Sequence, residues 1–297
     1  MSEENNEYIS SRGILKSCEI FSETPVSSIN KLINYKFKHL KNGCTIYICG
    51  SALLDFINNY IDKINYNFIL VCGDCDETIP NDILNQEEFL KFIENDKIIH
   101  IFCQNLVFKH PKLTIIPIGL DYHTLTTAPL WGPITSCSNQ EKILNSLIKK
   151  GKPFWERNIM CYANFHFSTN RKYGNDRLSA IKLIKPELVY YEPKIVPRIN
   201  TWNNQMKYSF CICPHGGGLD CHRNWEALCL GCIPIVKRSY IDEIYRDLPV
   251  LIVKDWGEIS KELLNETIIN FKSTNFNYNK LKLNYWIDLI ERTRKPT

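Results

Sequence analysis

The sequence has no apolar run that reaches the roughly 18 residues a membrane span needs. Its start, MSEENNEYISSRG, is polar and acidic and has no apolar h-region, so no secretory signal is expected. Charge of one sign is also scarce. Against 36 Lys and Arg stand 32 Asp and Glu, leaving +4. That balance argues against a nucleic-acid partner, and the basic residues are scattered. A pocket for an anionic small ligand remains compatible. No short repeat and no low-complexity tract is present. A globular cytoplasmic protein without a transmembrane segment is expected. Heavy use of Asn, Ile, Lys and Tyr matches AT-rich genomes, and for a viral chain the compartment would be the host cytoplasm.

Cysteine, by contrast, is abundant. The thirteen cysteines are an odd number and sit inside apolar runs such as TIYICG and FCICP. They read as free, buried thiols in a reducing compartment rather than a disulfide framework.

Short β-branched and aromatic runs alternate with helical patterns. Residues 45–49 (TIYIC), 68–72 (FILVC), 98–103 (IIHIFC) and 113–118 (LTIIPI) read as buried strands. ALLDFINNYIDKI and EEFLKFIEND lie among them with helical spacing. EKILNSLIKK is a helix stopped by Gly151-Lys152-Pro153, the expected domain boundary. The second half repeats the pattern. Residues 158–163, 188–191, 209–213, 233–236 and 249–253 read as strands, and RLSAIKLI as a helix. The expected fold class is α/β: two Rossmann-like doubly wound domains facing a central cleft, over 1–150 and 151–277. An amphipathic terminal pattern follows within 278–297.

The stretch from Cys213 to Val236, CPHGGGLDCHRNWEALCLGCIPIV, carries the chemistry. Pro214 ends the strand before it. His215, Gly216, Gly217 and Gly218 form a loop whose glycines permit positive φ or close backbone approach. Asp220 is the expected N-cap of a helix over 221–230, with Gly231 at its C′ position. A helix start beneath a glycine loop suits a phosphate. At about 100° per residue, Cys221, Trp225, Leu228 and Cys229 share the apolar face. His222 and Glu226 share another, with Arg223 beside them. A zinc site would need four converging ligands. These cysteines instead follow the strand and the helix's apolar face, so no metal is expected.

FCICPHGGGLDCHRNWEALCLGCIPIV resembles the nucleotide-sugar motif of exostosin-like glycosyltransferases of the GT-B type. Uncharacterised sugar-transferase-like proteins of large DNA viruses and bacteria are similar, also in PIGLDYHT and LPVLIVKDW. The close likeness covers 208–256. It implies that 1–150 serves the acceptor and 151–277 the donor, with the terminal helix crossing back to the first domain. Arg223 would lie near the diphosphate, Glu226 on the ribose, and His215, Gly216, Gly217, Gly218, His222 and Arg177 around the diphosphate. The activity implied is transfer of a sugar, with inversion and without metal, from a nucleotide diphosphate sugar to a glycan or protein acceptor. The chain lacks the anchor of animal exostosins, which puts a Golgi role in doubt.

Inversion needs a base. Asp74 and Asp76 (GDCDETIP) and Asp121 (GLDYHT) follow predicted strands, where open α/β sheets place their crevice. Asp74-x-Asp76 is also formally the D-x-D motif of metal-dependent transferases, so Mn or Mg enters under that alternative. Asx-turn or capping roles explain both clusters as well. A non-catalytic nucleotide- or glycan-binding protein is the reading from another class.

Overall fold

The computed structural model describes residues 3–37, 41–165 and 170–294. Residues 166–169, in the loop read after the 158–163 strand, and the last three residues of the terminal segment lie outside them.

The first half opens with α1 (Ser11–Ser17) and builds one parallel sheet from β1 (Cys44–Cys49), β2 (Phe68–Gly73), β3 (Ile98–Cys103) and β4 (Leu113–Ile115). The strand order is β1-β2-β3-β4. These strands are rich in Ile, Val, Phe and Tyr, and successive side chains go to opposite faces. Ile46, Ile48, Leu70 and Ile101 share one apolar cluster with Phe56 of α2 (Leu53–Asn59) and Phe89 of α3 (Gln86–Ile93). Asn85 and Glu88 close a capping box at the start of α3. α4 (Thr124–Thr127) and α5 (Cys137–Ile148) complete this half.

The second sheet contains β5 (Asn158–Ala163), β6 (Val189–Tyr191), β7 (Tyr208–Ile212), β8 (Ile233–Lys237) and β9 (Leu251–Val253). Its order is β6-β5-β7-β8-β9, all parallel. Ala180 of α6 (Gly174–Leu183) covers one face with Leu264 and Ile268 of α9 (Lys261–Lys272). Trp202 of α7 (Arg198–Gln205) and Trp225 of α8 (His222–Cys229) cover the other. This half is doubly wound.

The first half keeps the expected α/β layering, with a parallel sheet covered on both faces, and differs from the second in how those faces are covered. Its strand order never reverses, so right-handed crossovers deliver α2 and α3 to the same face. The opposite face carries Tyr47, Ile69, Val71 and Phe102. Ile14 and Leu15 of α1 cover it with Leu283, Trp286 and Ile290 of α10 (Leu283–Arg294), which follows all of the second half. The segment before α10 is stitched to the start of the chain: Ile9 N donates to Leu281 O, and Leu283 N to Glu7 O. No helix among the described residues is long and apolar enough to cross a membrane.

Candidate active site

β6 lies on one side of β5, and β7 to β9 on the other. The strand order reverses between β5 and β7, the position at which open α/β sheets place their ligand crevice. α6 brings Arg177 there, and the glycine loop follows β7. Three Gly positions explain the contact geometry, and none of them has positive φ. A Cβ at Gly216 would lie 2.6 Å from Arg177 Nη2. The loop lacks side chains so that a guanidinium can lie on its backbone, and Arg177 Nε donates to His215 O at 3.2 Å.

His215 is fixed from three sides. Its N–H donates to Asp176 Oδ2 at 3.0 Å, its Nδ1 bonds Leu219 O at 2.9 Å, and its ring meets Tyr173 edge-on. Trp256 Nε1 donates to the other Asp176 oxygen at 2.7 Å. The tryptophan of LPVLIVKDW thus props the glycine loop through Asp176.

α8 starts one residue later than expected. Cys221 is its N-cap and makes no side-chain capping bond. Asp220 corrects the capping expectation, because its carboxylate is used elsewhere. It accepts from Ile118 N in the first half at 2.8 Å, from Trp225 Nε1 at 2.9 and 3.0 Å, and from Tyr245 Oη at 3.2 Å. Its own N–H donates to Asn105 Oδ1 at 2.9 Å. Asp220 is buried, and burial raises its carboxyl above the usual range. It is a strut between the halves.

His222 Nδ1 lies 2.7 Å from Gly119 O and donates to it, which fixes the ring and leaves Nε2 turned away from that carbonyl. The Arg223 guanidinium lies 5.7 Å from the centre of the Phe165 ring. Its Nη1 is buried and has no hydrogen-bond partner among the described residues. Burial lowers the proton affinity of Arg177, and the Arg223 charge adds to that. Like charges held together in a crevice favour an anion.

The first half presents Asp76 to this cluster. A Cβ at Gly217 would sit 1.9 Å from Asp76 Oδ2, so the carboxylate rests on the glycine loop. Burial raises the Asp76 carboxyl and Glu77 adds to it, while Arg171, His222 and Arg177 pull the other way. The residue as a whole stays exposed, crowded by protein on the glycine-loop side alone, so solvent screens part of that upward shift.

Asp74 and Asp121 are engaged elsewhere. Asp74 has φ of 54°, accepts from Ser27 Oγ at 2.7 Å and lies 3.4 Å from Arg12 Nε, all within the first half. Asp121 takes Thr124 N at 2.9 Å and Thr124 Oγ1 at 2.7 Å, closing the turn into α4. Burial alone would raise its carboxyl, but His222, His123 and Arg198 outweigh that and hold it at about 2. Glu226 lies deeper on α8, 3.6 Å from Arg198 Nε. Arg198 also donates to Asp121 O and Gln140 Oε1 and packs over Trp131. Arg198 and Asn105 carry no motif that sequence reasoning could have caught. Asp220 was visible, but its partner lies 102 positions away.

Twelve cysteines are buried and Cys221 is half-buried, all with free thiols. Burial pushes the Cys18 and Cys232 thiols up to about 12, which suits inert packing. Among the described residues no three His, Cys, Asp or Glu side chains are grouped to hold a metal.

No family model matches the chain, and no curated protein matches it. Among solved structures, the crystal structure of GtfA/B complex is similar at a TM-score of 0.40 and 13% identity. The match covers 86% of this chain and 58% of that one, so this chain spans less than two thirds of it.

Proposed function

We propose that the chain is a glycosyltransferase of the GT-B type that moves a sugar from a nucleotide diphosphate sugar to a glycan or protein acceptor. One observation carries this: Arg177 and Arg223 converge at the switch point of the second sheet, opposite Asp76 of the first. Guanidinium groups suit a diphosphate, because their planar N–H donors match its oxygens. The exostosin-like motif points to the same residues.

The chemistry follows from the charges. The acceptor hydroxyl oxygen bonds to the anomeric carbon as the bond from that carbon to the phosphate oxygen breaks. Asp76 takes the hydroxyl proton, aided by its raised pKa. The electron pair leaves on the nucleoside diphosphate, whose charge Arg177, Arg223, His222 and the loop N–H groups stabilise. A single displacement inverts the anomeric centre. Glu226, with Arg198 sharing its charge, accepts hydrogen bonds from the ribose hydroxyls. His215 and the three glycines shape the diphosphate wall.

The metal-dependent alternative finds less support, because Asp74 pairs with Arg12 and Ser27 while Asp76 contacts the glycine loop. Titration calorimetry with UDP, GDP, CDP and dTDP tests the reading. One diphosphate should bind, and Arg223→Ala should weaken it about tenfold or more. Absence of binding by all four, or unchanged affinity in the variant, overturns it.

A further inference from the structure

One sizeable cavity lies away from the glycine loop. It measures about 600 Å³, within the range of small-molecule sites. Its walls come from both halves. The loop after β3 supplies Phe108 and Lys109, the segment after β8 supplies Tyr240 and Arg246, and the chain around the start of α10 supplies Lys280 and Tyr285.

The charges in the cavity are unbalanced. Lys109, Arg246 and Lys280 line it, against one carboxylate, Glu243. Glu243 already pairs with Arg246 at 3.2 Å. Lys280 is half-buried and donates to Arg246 O. An ammonium has three donors, so two remain. No carboxylate among the described residues lies within ion-pair distance of Lys280. Burial depresses its pKa and Arg246 acts in the same direction, while Asp247 and Glu243 offset part of this. A bound anion would relieve both effects. Tyr285 and Phe108 are half-buried and offer ring surface, and Tyr240 stands 82% exposed at the rim.

We propose that this cavity is a second ligand site, for an organic anion in which one acidic group is carried on a sugar or nucleoside ring. The acidic group sits at Lys280 with Lys109 and Arg246 around it. The ring packs against Tyr285 and Phe108, closed over by Tyr240. Because both halves contribute, a ligand here also ties them together. The inference does not depend on the transferase reading.

The test uses the full chain carrying Arg223→Ala, which removes a cation from the cleft. The probes are glucuronate, glucose 6-phosphate and AMP, each against its neutral counterpart, glucose or adenosine, by ligand-observed NMR and calorimetry. At least one anionic probe should bind and its neutral counterpart should not. Preference for AMP identifies the nucleoside source, and preference for the sugar acids the glycan source. Lys280→Gln should weaken that probe about tenfold, and Tyr285→Ala should weaken it further. Lack of binding by all three anions at millimolar concentration overturns the proposal. So does equal affinity in Lys280→Gln. The cleft is tested separately by the nucleoside diphosphates, so the two readings fail independently.

Discussion

Gly217→Ala and Gly218→Ala differ by one position and should behave differently. At Gly217 the new Cβ would meet Asp76 Oδ2 at 1.9 Å and Cγ at 2.4 Å, both side-chain atoms of an exposed residue. Asp76 escapes by rotating, so the cost in stability should be small, under about 1 kcal/mol. At Gly218 the neighbours are Asn105 Nδ2 at 2.7 Å, then Asp76 O at 3.0 Å and Cα at 3.3 Å. Backbone cannot rotate away, and Asn105 is held by Asp220 N and Cys75 O. Overpacking of that kind costs about 1–3 kcal/mol. The difference corresponds to several degrees in Tm for a chain of this size, at roughly 2–4 °C per kcal/mol. Urea unfolding followed by tryptophan fluorescence, with a thermal melt beside it, reads both. Gly217→Ala should therefore melt near wild type and still lose transfer, because Asp76 is displaced. Equal destabilisation by the two variants would show that Asp76 is clamped as a structural strut. The proton-acceptor role would then fall.

Other expectations follow from the same contacts. Asp76→Asn should lower transfer about 10²–10⁴-fold with nucleoside diphosphate affinity kept, and kcat/KM of wild type should rise with pH through a value above the usual carboxylate range; an equal loss of diphosphate affinity would refute the role. Glu226→Ala should weaken nucleoside diphosphate binding while leaving pyrophosphate binding unchanged, as read by calorimetry. Asp220→Ala strands the Ile118 and Trp225 donors, at about 1–3 kcal/mol each, so its urea midpoint should fall sharply. Glu3 is buried and accepts from Ser10 Oγ, and burial raises its carboxyl from 4.5 to about 7. Between those values the native state keeps a proton that the unfolded chain has released, so stability falls as pH rises, by about 1.4 kcal/mol per unit at most. Glu3→Gln should flatten that slope in urea titrations at pH 4.5, 6 and 7.5.

Strands were the legible part of the fold. Residues 98–103 and 158–163 match β3 and β5, because continuous apolar runs between turn signals have few alternatives. LTIIPI was read too long, since the pairing of β4 ends at Ile115. α7 was missed. RINTWNNQ is poor in helix formers, and burial of Trp202 on the second sheet overrides that. α1 was missed for a similar reason, with Gly13 in its middle. Within the site, the glycine loop, His222 and Arg223 could be found because they are neighbours in sequence. The Asp76–Gly217 contact and the Asp220–Ile118 bond join residues more than a hundred positions apart. No local period encodes such pairings.

The position of α10 sets an order of events during synthesis. The face of the first sheet bearing Tyr47, Val71 and Phe102 is closed by Leu283, Trp286 and Ile290. A nascent chain presents that sheet long before its cover emerges from the ribosome. The first half therefore waits with that side covered only by α1 until the second half has been made. Translation speed through the second half, and chaperone capture of that side, then govern how much of the protein reaches its final state.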